Sequence, residues 1–133
     1  MTGGAFSGAN CAATNLLANY GTESNIWLRT PALDLSTATG ATVTFQQWVD
    51  MDEFENLDRG EVRVLKAGTF SEIGVMETNI TGLDPAGWVG FSARLPTAAL
   101  GQSGALEFGF VSDGDAFFDQ SGWYIDEVIV TTP

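Results

Sequence analysis

Histidine is absent from this chain, cysteine occurs once, and lysine and arginine together number 5. Without histidine, the usual nucleophile–histidine triads and the His-based zinc sites are excluded. A single thiol, Cys11, cannot form an intramolecular disulfide, and with no imidazole to activate it Cys11 reads as a small apolar space-filler. The 5 cations face 17 Asp+Glu, for a net charge of -12. So few basic residues leave no face for nucleic acid and none for an anionic membrane surface. No apolar run is long enough to cross a bilayer, and neither a signal peptide nor a transit sequence is visible. Walker-type and dinucleotide-binding glycine loops are missing despite 16 glycines.

What remains is a chain of 133 residues, 44% hydrophobic, with 9 Phe and 4 Trp. That is enough to bury the core of one domain, expected over residues 1–133, with 1–13 a poorly defined N-terminal segment. The opening at Met1-Thr2-Gly3-Gly4 and the end just past a strand fit a module cut from a longer protein.

Apolar alternation of period two recurs along the chain. Ala41–Asp50 places Val43 and Phe45 on one face, Glu61–Leu65 turns Val62 and Val64 inward, and Gly104–Val111 aligns Leu106, Phe108 and Phe110. Asn25–Thr30 reads as an edge or bent strand because Pro31 cannot donate to a ladder. A weaker strand is expected over Ile73–Ile80 and another strand over Trp88–Leu95, closed by Pro96, and a brief helical turn fits Thr97–Leu100. Many short strands separated by turn signals, with no helix of ordinary length, predict an all-β, two-sheet antiparallel β-sandwich, with a jelly roll favoured.

The last strand, Gly122–Val130, carries adjacent carboxylates, Asp126 and Glu127, amid aromatic and β-branched residues. Side chains alternate along a strand, so one of the two is expected to face inward or to lie at an edge. An inward carboxylate needs a positive partner, and in a chain with so few cations a bound ion is the readiest one. The loop between two strands supplies Asp50, Asp52, Glu53, Glu55 and Asp58, which suits the six to eight oxygen ligands that Ca²⁺ takes; a solvated acidic loop is the competing reading. A second cluster, Asp113, Asp115 and Asp119, lacks EF-hand spacing and reads as a turn held by Asp side chains.

Phe117 and Phe118 are adjacent in a strand-connecting loop, where either one ring remains outside for sugar stacking or both are buried. Trp27, Trp48, Trp88 and Trp123 fall on predicted strands, where tryptophan usually packs inward. Trp88, just after a Gly-Pro turn region, is the tryptophan best placed for a ligand. Paired carboxylates can hydrolyse a glycoside, but clusters of three to five in a small domain look more like metal ligation than an acid–base pair.

The series Thr14-Asn15-Leu16, Trp27–Leu35, Ala41–Phe45, Asp58–Val64, Trp88 and Gly122–Val128 resembles the bacterial MAM-like jelly-roll modules. These occur in accessory domains of immune-inhibitor-A-type metallopeptidases and in the cleaved-adhesin domains of gingipain-like proteins. The resemblance implies a non-catalytic, extracellular sandwich with a structural Ca²⁺ site. Asp126 maps onto a typical ligand of that site, and Glu53 or Glu55, with Asp58, onto others; Glu127 stands where the family usually has a second Asp. Carbohydrate-binding jelly rolls often end in a similar aromatic-Ile-Asp-Asp-Val strand. The expectation is a calcium-stabilised accessory or adhesion module of a secreted multidomain protein, binding a glycan or protein at its surface beside other domains. The alternatives are a carbohydrate-binding module using Trp88, Phe117 or Phe118, and a small glycan-active enzyme.

Overall fold

The computed structural model describes residues 11–13, 25–51, 58–82, 87–112 and 122–133. Among these residues nine strands follow in chain order: β1 (Ala12–Ala13), β2 (Asn25–Arg29), β3 (Leu33–Asp34), β4 (Thr42–Asp50), β5 (Arg59–Lys66), β6 (Glu72–Ile80), β7 (Val89–Arg94), β8 (Ser103–Val111) and β9 (Gly122–Thr131). A 3-10 turn at Thr97–Ala99 links β7 to β8. Every pairing is antiparallel.

One sheet has the order β1-β9-β4-β7, and the other β2-β8-β5-β6 with β3 also on β8. β2 and β3 are one strand broken at Pro31, as the ring without an N–H requires. Counting them as one gives eight strands among the described residues; successive strands change sheet except at the β5–β6 hairpin, the strand order of a jelly roll.

The period-two pattern decides which side chains meet between the sheets. Val43 and Phe45 of β4, Val62 and Val64 of β5, and Leu106, Phe108 and Phe110 of β8 all fall in the core, as expected. The Phe45 ring stacks on Phe91 at 4.7 Å and meets Phe108 edge-on at 5.2 Å. Trp123 closes one end of this core, with Nε1 donating to Gln47 Oε1 at 2.9 Å. Gly60 lies directly over that indole: a Cβ there would stand 2.8 Å from Cε3 and Cζ3, so the two sheets approach closely only because residue 60 has no side chain.

The β5–β6 pairing shifts register three times, and alternation fails on β9. Thr44 of β4 pairs with Ile129 and Gln46 with Asp126, so two residues of β9, Glu127 and Val128, oppose Phe45 alone. This is a β-bulge, with Glu127 in the left-handed region (φ 51). Of the two expected placements of an adjacent carboxylate, inward or at an edge, the bulge removes the inward one. Asp126 lies on the outer face, paired with Gln46, and Glu127 is exposed at the bulge. Its own N–H donates to Asp126 Oδ1 at 2.7 Å. The extra residue resets the alternation, so the core meets neither charge.

Candidate functional site

The register places both ends of each undescribed connection at one end of the sandwich. Ala13 opposes Tyr124, Asn25 opposes Val111, Asp50 opposes Gly122, and Arg59 follows Asp58 opposite Val111. Met51 N–H donates to Gly82 O at 2.7 Å, tying the sheets together there, and Thr81 Oγ1 donates to Asp58 O at 2.7 Å within one of them. Asp50 and the buried Asp58 are thus at this end, as is half-buried Trp88, whose ring meets Trp48 edge-on at 6.1 Å.

Asp126 is four residues further along β9 than Gly122, about 13 Å at ~3.3 Å per residue. Asp126 and Glu127 therefore sit at mid-sheet, apart from Asp50 and Asp58. Cys11 lies near Asp126; burial, then the Asp126 charge, raises its thiol pKa above the ordinary value. Among the described residues no three Asp, Glu or Cys side chains converge on a point where an ion could sit. They do not by themselves fit a Ca²⁺ site. Asp52, Glu53, Glu55, Asp113, Asp115, Asp119, Phe117 and Phe118 lie outside the described residues.

A different surface gathers the chemistry, the outer face of the five-stranded sheet. Three rows cross β2, β8 and β5: Arg29–Glu107–Arg63, Trp27–Gly109–Glu61 and Asn25–Val111–Arg59. These positions alternate with the core residues Leu106, Phe108, Phe110, Val62 and Val64, so they point away from the core together.

The charges on this face interlock. Glu107 accepts from Arg29 Nε at 2.8 Å and from Arg63 Nη1 at 3.5 Å. Glu61 accepts from Arg59 Nε at 3.3 Å and from Arg63 Nη2. Arg63 Nε stands 3.1 Å from Glu72 Oε1, an ion-pair distance without hydrogen-bond alignment. Glu61 and Glu107 are buried on the surface of the sheet, 8% and 7% exposed, and two guanidinium groups meet each of them.

Trp27 stands above this grid, 58% exposed. The Arg29 guanidinium lies over its ring at 3.7 Å and over the Phe70 ring at 4.4 Å. Phe70, in the β5–β6 turn, has a left-handed backbone (φ 58), which costs a bulky residue roughly 1–2 kcal/mol. The turn thus holds a strained phenylalanine against a guanidinium that is anchored by Glu107 and pressed on Trp27. One face of the indole is fixed and the other is left to solvent. Beside it Gly109 offers open floor, since a Cβ there would meet nothing within 4 Å. Arg29 and Arg59 each commit Nε to a carboxylate, and among the described residues their terminal amino groups make no ion pair.

The aromatic stack, the guanidinium donors and the open floor make this face the candidate site. Sequence reasoning placed strand tryptophans inward and favoured Trp88. The signal for Trp27 was its place in a short strand ended by proline, which is the outer strand of its sheet among the described residues.

No family model matches the chain, and no curated protein does. Among solved structures it is similar to a carbohydrate-binding module from Cellvibrio mixtus lichenase 5A in complex with cellotriose. That likeness has 11% identity and a TM-score of 0.46, over 93% of this chain and 86% of that one. It is also similar to the C-terminal domain of EclA, a sugar-binding protein, at 17% identity and a TM-score of 0.46, over 96% of this chain and 82% of that one. No helix among the described residues is long and apolar enough to cross a membrane.

Proposed function

We propose that this jelly roll is a non-catalytic carbohydrate-binding module of a secreted multidomain protein, and that it holds its glycan on the outer face of the five-stranded sheet. The observation that carries the proposal is Trp27, an exposed indole held rigid on one face by Arg29 and free on the other. A pyranose ring has an apolar C–H face that stacks on such an indole, while its hydroxyls reach the terminal amino groups of Arg29 and Arg59 across Gly109. Because the Phe70–Arg29–Trp27 stack is assembled beforehand, little ordering remains to be done on binding. Catalysis has no support on this face: Glu61 and Glu107 are each neutralised by two arginines, so neither is set up as a proton donor or nucleophile.

Affinity electrophoresis through gels containing soluble polysaccharides tests the reading. Trp27→Ala weakens retention about 30-fold or more, the loss expected of a central aromatic anchor. Val89→Ala, at an exposed position of the other sheet, serves as the control and is retained like the parent. Equal retention of the parent and Trp27→Ala would move the site elsewhere.

A further inference from the structure

Resting on that glycan reading, we infer that the platform takes an uncharged saccharide and rejects uronates and sulfated glycans. Arg29, Arg59 and Arg63 are three of the 5 Lys+Arg in the chain, and their gathering on one face invites the opposite conclusion. Yet their charge is already matched within the sheet. Glu107 bridges Arg29 and Arg63, Glu61 bridges Arg59 and Arg63, and Glu72 flanks Arg63. Three guanidinium groups face three carboxylates, so the grid is neutral.

An acidic group could reach the terminal amino groups of Arg29 and Arg59, but it would sit beside a carboxylate that already neutralises each of them, and could take over the guanidinium charge only by displacing Glu61 or Glu107. Either carboxylate would then be left buried and unpaired, a strongly unfavourable state. The net charge of -12 therefore lies wholly outside the grid, and its field opposes the approach of any polyanion.

What the grid still offers suits hydroxyl groups. Arg29 and Arg59 present terminal N–H donors. Glu61 and Glu107 each accept two N–H bonds of the roughly four a carboxylate can take. A hydroxyl both donates and accepts, and so complements donors and acceptors that alternate over a neutral patch. A sugar carboxylate or sulfate only accepts, and finds acceptors beside every donor.

The test is a binding panel with the whole chain. Xyloglucan, mixed-linkage β-glucan and galactomannan are the neutral probes, and polygalacturonate, alginate and chondroitin sulfate the acidic ones. Each is measured at about 0.01 M and about 1 M salt, where the screening length falls from about 30 Å to about 3 Å. The expected result is retention of at least one neutral polymer, with a Kd that changes less than about twofold across that range, and no retention of an acidic one. Tighter binding of an acidic polymer, lost steeply with salt, would overturn the inference and leave the glycan reading standing. Retention of no polymer of either class would overturn both.

Discussion

Replacing Gly60 by Ala tests the packing that fixes the two sheets in register. The new Cβ would sit 2.8 Å from Trp123 Cε3 and Cζ3 and 3.1 Å from Cδ2, well inside van der Waals contact. The atoms it meets belong to a rigid ring, not to the end of a flexible chain. That ring is 3% exposed, meets Phe108 at 6.1 Å, and is fastened through Nε1 to Gln47. Overpacking of a well-filled core costs about 1–3 kcal/mol. A shift of the indole also strains a buried hydrogen bond worth about 1 kcal/mol. The expected loss is therefore about 2–4 kcal/mol, a large part of a typical total of about 5–15. Urea unfolding followed by tryptophan fluorescence measures it, through the midpoint at constant m. Trp123→Phe, which withdraws the offending atoms, should make Gly60→Ala cheaper, a coupling of about 0.5–3 kcal/mol in the double-mutant cycle. A loss below about 0.5 kcal/mol for Gly60→Ala, or strict additivity with Trp123→Phe, would refute the close approach of β5 to β9.

Phe70→Gly separates strain from function. It relieves about 1–2 kcal/mol of left-handed strain and forfeits a cation–π contact of about 0.5–1 kcal/mol, so stability by urea unfolding stays within about 1 kcal/mol of the parent while glycan retention falls. Unchanged retention would show that Trp27 needs no support from the turn. Asp34 supplies a pH dependence: the Ser36 hydroxyl, then the Ser36 N–H, lowers its pKa below the usual 3.8. Because the folded value is depressed, the stabilisation is present above the unfolded pKa and is lost as pH falls through the folded one. The advantage of the parent over Asp34→Asn in urea midpoint therefore shrinks from neutral pH to about pH 3, and an advantage that grows with acid would contradict the assignment. Any rise in Tm between excess chelator and excess calcium is the same in Asp126→Asn as in the parent, because Asp126 is at mid-sheet and apart from Asp50 and Asp58. Loss of that rise in Asp126→Asn alone would place the ion on β9.

Much of the sandwich is legible in the alternation. Val43, Phe45, Val62, Val64, Leu106, Phe108 and Phe110 repeat at period two without interruption, and Pro31 marks where β2 gives way to β3. The same rule misleads at Asp126-Glu127, since it assumes an unbroken ladder. The platform was hidden for another reason. Arg29, Arg63, Glu61 and Glu107 come from three strands, and only the pairing register brings them into one grid. Alternation tells which face a residue takes, but not which residue lies beside it. Nor does it reveal that Phe70, from a turn, folds over Arg29 and leaves Trp27 outside.

The most direct measurement is a heteronuclear NMR titration of the chain with a soluble neutral polysaccharide, reading indole and guanidinium N–H signals with the backbone amides. Binding on the proposed face shifts the Trp27 indole, Arg29 and Arg59 Nε–H, and the amide of Gly109, and leaves Trp123 and the Asp50–Gly122 end still. Shifts confined to Trp88, Asp50 and Gly122, with Trp27 unmoved, would contradict it.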